Sequence, residues 1–219
     1  MITENVKRIT TTISEAALRA GRDPLSIELV AVTKFHPLEQ ILPLHGLGIK
    51  SIGESRIQEL QSKFDPLQNR FKIHFIGHLQ TNKAKMAVAM ADLIHSVDSV
   101  KLASAVNIAA AAAGKTQNIL LQVNCSNEEQ KGGIHPSDFE KVLAEVSTFK
   151  NLKIEGLMTM AALTEDREAI RESFSLLRTL RDKTGLRHLS MGMSHDFDIA
   201  IEEGATLVRI GSAIFEGIS

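Results

Sequence analysis

The hydrophobic positions of the chain form short apolar runs that alternate with longer stretches of helical period. Runs such as Leu29–Val32 and Ile119–Leu121 contain no polar residue, which is typical of parallel strands that are buried on both faces. Eight strands are predicted, at residues 28–33, 49–52, 73–76, 93–97, 119–123, 154–158, 188–191 and 206–209.

Segments with apolar residues three and four positions apart separate these runs. One precedes the first strand, where Val6, Ile9 and Ile13 share a face and Gly21 ends the pattern, so we predict an extra N-terminal helix at residues 2–21. Others are predicted at 83–90, 100–113, 136–149 and 165–183. Eight strand-then-helix units predict a single-domain (β/α)8 TIM-type barrel over residues 1–219, and an open doubly wound sheet is the alternative topology.

Charge and cysteine content narrow the class of protein. The 25 basic and 26 acidic residues nearly cancel, which disfavours nucleic acid or an anionic membrane as a partner. One cysteine, Cys125, excludes an internal disulfide and fits a reducing compartment. No apolar stretch reaches the length of a membrane span, and the first residues do not read as a signal peptide. We expect a soluble, cytoplasmic monomer.

Unusual residues gather where the predicted strands end, which is where function collects in a (β/α)8 barrel. Lys34 follows the first strand. At the mouth of an apolar barrel, desolvation would disfavour its charged form and lower its pKa towards the range of a nucleophilic amine, as a Schiff-base lysine requires. A solvated loop lysine is the alternative interpretation.

Two small turns follow strands seven and eight. Ser194 lies in the first, and Gly211 and Ser212 lie in the second. Each turn is expected to lead into a helix start, where free N–H groups and the helix dipole attract phosphate, although a lone serine often only caps a helix. These loops are the recurring phosphate site of the barrel. An amine opposite a phosphate cradle fits a phosphorylated aldehyde, and pyridoxal 5′-phosphate (PLP) is the predicted cofactor.

Several motifs then resemble the pyridoxal phosphate homeostasis protein family, in order and over nearly the whole chain. They are GESRIQE (53–59), HFIGHLQTNK (74–83), GLMTM (156–160), LSMGMS (189–194) and VRIGSAIF (208–215). The family is similar to the N-terminal barrel of alanine racemase standing alone. The resemblance implies that Lys34 forms the aldimine, that Arg209 lies near the pyridine nitrogen, and that the phosphate lies near three residues, Ser194, Gly211 and Ser212.

Other polar residues give a weaker indication of function. Three positions depart from the family pattern. The family usually has Asn where Ser55 stands, Pro or Arg where His78 stands, and Gly where Glu216 stands. His74 and His78 are four apart, but they straddle a strand end without a nearby carboxylate, which argues against a metal pair. Cys125 is interpreted as a buried or loop cysteine without an activating neighbour, rather than as a redox-active thiol.

Arg209 bears on the choice between carrier and enzyme. A permanent cation beside the pyridine nitrogen disfavours its protonation and makes the ring a poorer electron sink; the alternative is that Arg209 pairs with Glu54. Racemisation by two bases needs a second base opposite the lysine, and the chain has no tyrosine.

Three functions remain open. The first is a PLP homeostasis protein that serves PLP-requiring apoenzymes without marked turnover. The second is a PLP-dependent amino-acid racemase-like enzyme. The third is a barrel for another phosphate ester, in which Lys34 makes only an electrostatic contact.

Overall fold

Eight parallel strands close into a barrel in chain order, so that β1 pairs with both β2 and β8. The computed structural model describes residues 1–126, 128, 131–162 and 164–218. The strands are β1 (Glu28–Val32), β2 (Ser51–Glu54), β3 (Lys72–Phe75), β4 (Leu93–Val97), β5 (Gln117–Gln122), β6 (Leu152–Met158), β7 (His188–Ser190) and β8 (Leu207–Ile210). The predicted (β/α)8 fold is confirmed.

Helices surround the strands. They are α1 (Ile2–Arg19), α2 (Leu38–Ile41), α3 (Pro43–Gly46), α4 (Ile57–Gln68), α5 (Ala84–Met90), α6 (Val100–Ala112), α7 (Phe139–Val146), α8 (Arg167–Thr184) and α9 (Phe197–Glu202). Short 3-10 turns lie at Pro24–Ser26, Thr81–Lys83 and Pro136–Asp138, and the last of these forms the start of the helix predicted at 136–149. In the described ranges, none of the helices is both long and apolar enough to cross a membrane.

The apolar core has two parts. The larger part lies between the strands and the surrounding helices, and it includes the apolar face of α1. The smaller part fills the inside of the barrel with side chains from alternate strand positions. Its buried members are Val30, Leu93, Leu120, Met158 and Leu207. The inside of the barrel is therefore packed, and the polar residues that share it are enclosed by protein.

The second strand begins later than the apolar pattern predicts. Gly48 has a φ of +85°, and the amide of Ile49 donates to the carbonyl of Leu44, so Ile49 still belongs to the turn that ends α3. The strand instead continues to Glu54, because Gly53 and Glu54 pair with β3. The predicted span of 49–52 is corrected to Ser51–Glu54, and an acidic residue is placed inside a strand.

The segment after β8 contains no helix in its described part, residues 211–218. Instead, the amides of Ile214 and Phe215 donate to the carbonyl of Gly211 and close a single turn. Helix α1 contacts α9, and its Asn5 side chain donates to the carbonyls of Ile214 and Glu216 at 3.0 and 2.9 Å. The extra N-terminal helix therefore lies where a helix after β8 would otherwise pack.

Candidate functional site

Lys34 lies in the turn that follows β1, at the end of the barrel where the strands finish. Its side chain is exposed, with the Nζ atom 5.9 Å from the centre of the Phe35 ring. The expectation that protein surroundings desolvate this amine is therefore wrong. Because β1 pairs with β8, the turn that carries Lys34 is next to the turn that carries Gly211.

Helix α4 holds the residues on either side of Lys34. The Nζ atom of Lys63 donates to the carbonyl of Thr33 at 3.2 Å, and Glu59 accepts the amide of Phe35 at 3.0 Å. Phe35 has a φ of +69°, a conformation that costs a residue with a side chain about 1–2 kcal/mol. The two contacts from α4 hold the strained turn in place, and this sets the point from which Lys34 projects.

A buried ion pair anchors this arrangement. Glu54 is fully buried, accepts the Thr33 hydroxyl at 2.7 Å and lies 3.2 Å from the Nζ atom of Lys63. Burial raises the pKa of Glu54, and the contacts with Thr33 and Lys63 partly oppose that rise. The interpretation that Arg209 pairs with Glu54 is wrong, because Thr33 and Lys63 are the partners of this carboxylate.

Arg209 lies inside the barrel, near the end of β8. Its side chain is almost fully buried, and its guanidinium donates to the Ser190 hydroxyl at 2.6 Å and to the Thr159 carbonyl at 2.9 Å. Burial lowers the pKa of Arg209 to about 10, and Asp196 partly opposes that change. The side chain is therefore still a cation at neutral pH, as the sequence predicts.

Two histidines extend this polar group into the barrel. Nδ1 of His95 is 2.9 Å from the Ser190 hydroxyl, and Nε2 of His95 is 3.0 Å from Nδ1 of His74. Burial lowers the pKa of His74 to about 4 and that of His95 well below its ordinary value. Both rings are neutral at pH 7. His95 and Ser190 were not predicted from the sequence, although both are polar residues inside predicted strands.

The predicted phosphate turns meet. The Ser212 hydroxyl donates to the Ser194 hydroxyl at 2.9 Å, and the amide of Ala213 lies 3.4 Å from the same Ser194 oxygen. A Cβ at Gly211 would lie 3.1 Å from the Cβ of Val32 and 3.2 Å from its carbonyl oxygen, so glycine lets this turn approach β1. A cleft of about 480 Å³, lined by both serines and by Arg8 of α1, opens beside them.

Neither turn leads directly into a helix, although the sequence predicts a helix start after each of them. After Ser194 the chain continues for two residues before α9 begins at Phe197, and after Ser212 it forms a turn without a helix. Hydroxyl and amide groups of the turns, rather than two helix ends, are the donors that the structure provides. Such donors, converging on a backbone that glycine keeps free of side chains, still fit a phosphate group.

The residues considered as metal ligands or as a reactive thiol do not form a common site in the described part of the chain. His74 is inside the barrel, whereas His78 is exposed and lies 3.8 Å from Asp98, so the two histidines do not form a pair. Among the described residues, no three His, Cys, Asp or Glu side chains are grouped as a metal site requires. Burial raises the pKa of Cys125 to about 12, which keeps the thiol protonated at neutral pH.

Sequence comparison with known proteins shows to which family this chain belongs. The alanine racemase N-terminal domain family matches residues 4–218. The pyridoxal phosphate homeostasis protein of Aquifex aeolicus is 40% identical over 97% of this chain and 96% of its own length, and that of Pseudomonas aeruginosa is 39% identical over 98% and 94%. The chain belongs to the pyridoxal phosphate homeostasis protein family. The predicted resemblance is confirmed.

Solved structures agree with this assignment. PipY of Synechococcus elongatus PCC7942, solved with PLP bound, is 34% identical and superposes with a TM-score of 0.82 over 98% of this chain and all of that chain. An alanine racemase of Clostridium difficile superposes with a TM-score of 0.72 at 13% identity and is matched over 56% of its length. The racemase shows that the fold is shared.

Proposed function

We propose that this protein binds PLP at the C-terminal end of its barrel and takes part in intracellular PLP homeostasis. Lys34 holds the cofactor as an internal aldimine, Arg209 lies at the ring nitrogen, and Ser194, Gly211 and Ser212 bind the phosphate. The main support is the position of the two serine turns. They contact each other, and Gly211 approaches Val32, which lies two residues before Lys34. An amine and a set of phosphate donors thus lie on neighbouring strands.

The cation of Arg209 supports a carrier rather than an enzyme. PLP supplies an aldehyde and an electron-withdrawing ring when it is bound. A guanidinium at the ring nitrogen disfavours protonation there, because like charges repel, and this weakens the ring as an electron sink. The chain also lacks a tyrosine to act as an opposing base, and its relatives are named homeostasis proteins.

The position of Lys34 also bears on the cellular role. We propose one PLP-binding domain over residues 1–219 that acts as a cytoplasmic monomer and passes PLP to apoenzymes that require it. The exposure of Lys34 supports this role, because an amine that solvent reaches is also accessible to a competing amine on a recipient protein.

Reduction with borohydride tests the site. The protein is loaded with PLP, reduced, digested and analysed by mass spectrometry. We expect the phosphopyridoxyl group on Lys34, and we expect Lys34→Ala to bind PLP without forming that adduct. Lys101→Ala, at an exposed lysine of α6, is the matched control and should be labelled like the wild type. An adduct on a different lysine in the wild type would refute the assignment.

Deuterium exchange separates the carrier from the racemase-like alternative. The loaded protein is incubated with single L-amino acids in deuterated water, and α-hydrogen exchange is followed by NMR. We expect exchange no faster than with free PLP. Faster exchange that Lys34→Ala abolishes would instead favour the enzyme.

A further inference from the structure

The polar group inside the barrel connects strands that are not neighbours. Ser190 belongs to β7 and His95 to β4, yet the hydroxyl oxygen and Nδ1 are 2.9 Å apart. The contact therefore crosses the interior. Arg209 extends the group at the mouth, and His74 extends it at the opposite end of the barrel, where His74 lines a cavity of about 290 Å³ between Glu28, Lys72 and other polar side chains.

The direction of the hydrogen bonds follows from the chemistry of the members. A guanidinium only donates, so the Ser190 oxygen accepts from Arg209. The hydroxyl proton of Ser190 then needs an acceptor, and among the described residues only Nδ1 of His95 is in reach. His95 consequently carries its proton on Nε2 and donates it to Nδ1 of His74. His74 carries its own proton on Nε2, the ring nitrogen that is not bonded to His95.

We propose that His74, His95 and Ser190 are positioning residues, which form a one-directional hydrogen-bond chain that holds Arg209 at the ring end of the cofactor site. The other anchor of Arg209 is the Thr159 carbonyl. With two anchors, the planar guanidinium has one orientation. The part of this inference that concerns the cofactor rests on the proposed function, whereas the chain itself is a property of the unliganded protein.

The barrel offers a matched pair of serines for the test. Ser190 and Ser96 are both buried, but the Ser96 hydroxyl has no hydrogen-bond partner in the described part of the chain. Ser190→Ala and Ser96→Ala therefore make the same chemical change at the same depth, and only the first interrupts the chain between Arg209 and His95.

The first measurement uses the protein without cofactor. Long-range ¹H–¹⁵N spectra of ¹⁵N-histidine-labelled protein at pH 7 distinguish protonated from unprotonated ring nitrogens, and His74→Gln and His95→Gln assign the signals. We expect both rings to be neutral and protonated on Nε2. We also expect Ser190→Ala to change the His95 signals and Ser96→Ala to leave them unchanged. A His95 ring protonated on Nδ1 would overturn the proposed direction.

The second measurement adds PLP to the same proteins. We expect Ser190→Ala to shift the absorption maximum of the bound chromophore and to weaken binding about fivefold, or about 1 kcal/mol, while Ser96→Ala matches the wild type. If Ser190→Ala matches Ser96→Ala in both readouts, the positioning role is refuted although PLP binding stands. If the wild type binds no PLP, the proposed function fails, and the role of the chain towards the ring fails with it.

Discussion

Phe35 combines an unfavourable backbone conformation with an exposed side chain. Its φ is +69°, and 65% of the residue is exposed, so truncation removes little buried surface. We expect Phe35→Gly to be about 1 kcal/mol more stable than Phe35→Ala, because glycine adopts a positive φ without steric cost. Urea unfolding of the two variants measures the difference. Equal stability would show that the turn relaxes to a negative φ once the ring is removed.

Gly211 tests the close approach of the phosphate turn to β1. A Cβ there would lie 3.1 Å from Val32, whereas a Cβ at Gly46 would meet nothing within 4 Å. We expect Gly211→Ala to raise the Kd for PLP about tenfold, in keeping with the usual cost of overpacking. Gly46→Ala should bind like the wild type. Fluorescence or absorbance titration measures both, and unchanged binding by Gly211→Ala would place the phosphate elsewhere.

At the scale of elements, α4 determines how β1 ends. Lys63 is 13% exposed and is paired with the fully buried carboxylate of Glu54. Removing one partner of a buried pair leaves an uncompensated charge. We expect Lys63→Met to lower the free energy of unfolding by about 3–5 kcal/mol. Lys101→Met, at an exposed position of α6, should change it little.

The loss in Lys63→Met should also depend on pH. Burial already raises the pKa of Glu54, and without the Lys63 cation this pKa should rise further. A carboxyl whose pKa is higher in the folded state than in the unfolded state destabilises the fold as pH rises. Urea unfolding at pH 5 and pH 8 should therefore show the larger loss at pH 8. An equal loss at both pH values would mean that Glu54 is not the group involved.

The apolar pattern predicts the ends of a strand best where a charged residue flanks each end. The run at 93–97 stands between Asp92 and Asp98, and β4 has the same bounds. At β2 the pattern gives the wrong bounds, because Ile49 is apolar but completes a helical turn, while Glu54 is acidic but pairs within the sheet. Local hydropathy carries no information about which neighbouring strand supplies the pairing.

The candidate site was predictable only in part for a similar reason. Lys34, Ser194, Arg209, Gly211 and Ser212 follow strands or end them, and the order of the strands places them at one end of a barrel. Contacts across the interior, such as that between His95 and Ser190, join residues 95 positions apart on strands that do not pair. Their register depends on the tilt of the closed barrel, which short sequence motifs do not encode.

At the scale of the whole molecule, the buried histidines predict an acid-sensitive fold. Burial lowers the pKa of His74 to about 4, against about 6.5 in an unfolded chain. The unfolded state then binds more protons, so stability falls as pH falls below about 7. For His74 alone we expect the free energy of unfolding to be about 2 kcal/mol smaller at pH 5 than at pH 7. The low pKa of His95 adds to this effect.

Neighbouring charges modify this pH dependence without reversing it. Glu28 and Asp92 raise the pKa of His74, whereas Lys72 and His188 lower it, and burial is the largest cause. Urea unfolding between pH 5 and pH 7 measures the slope. His74→Asn should flatten it, whereas His45→Asn, at an exposed histidine, should not. An unchanged slope in His74→Asn would show that other groups bind the protons.

The packing of α1 against the segment after β8 delays the completion of folding until the end of synthesis. The side chain of Asn5 binds carbonyls that lie 209 and 211 positions further along the chain. At about 5–20 residues per second, the ribosome takes on the order of 10–40 s to make that segment once α1 has been translated. Until α9 and that segment have both been made, the apolar face of α1, which carries Val6, Ile9 and Ile13, lacks part of the surface that covers it in the folded chain. A nascent chain that stalls before α9 therefore displays an amphipathic helix that a holdase chaperone can bind.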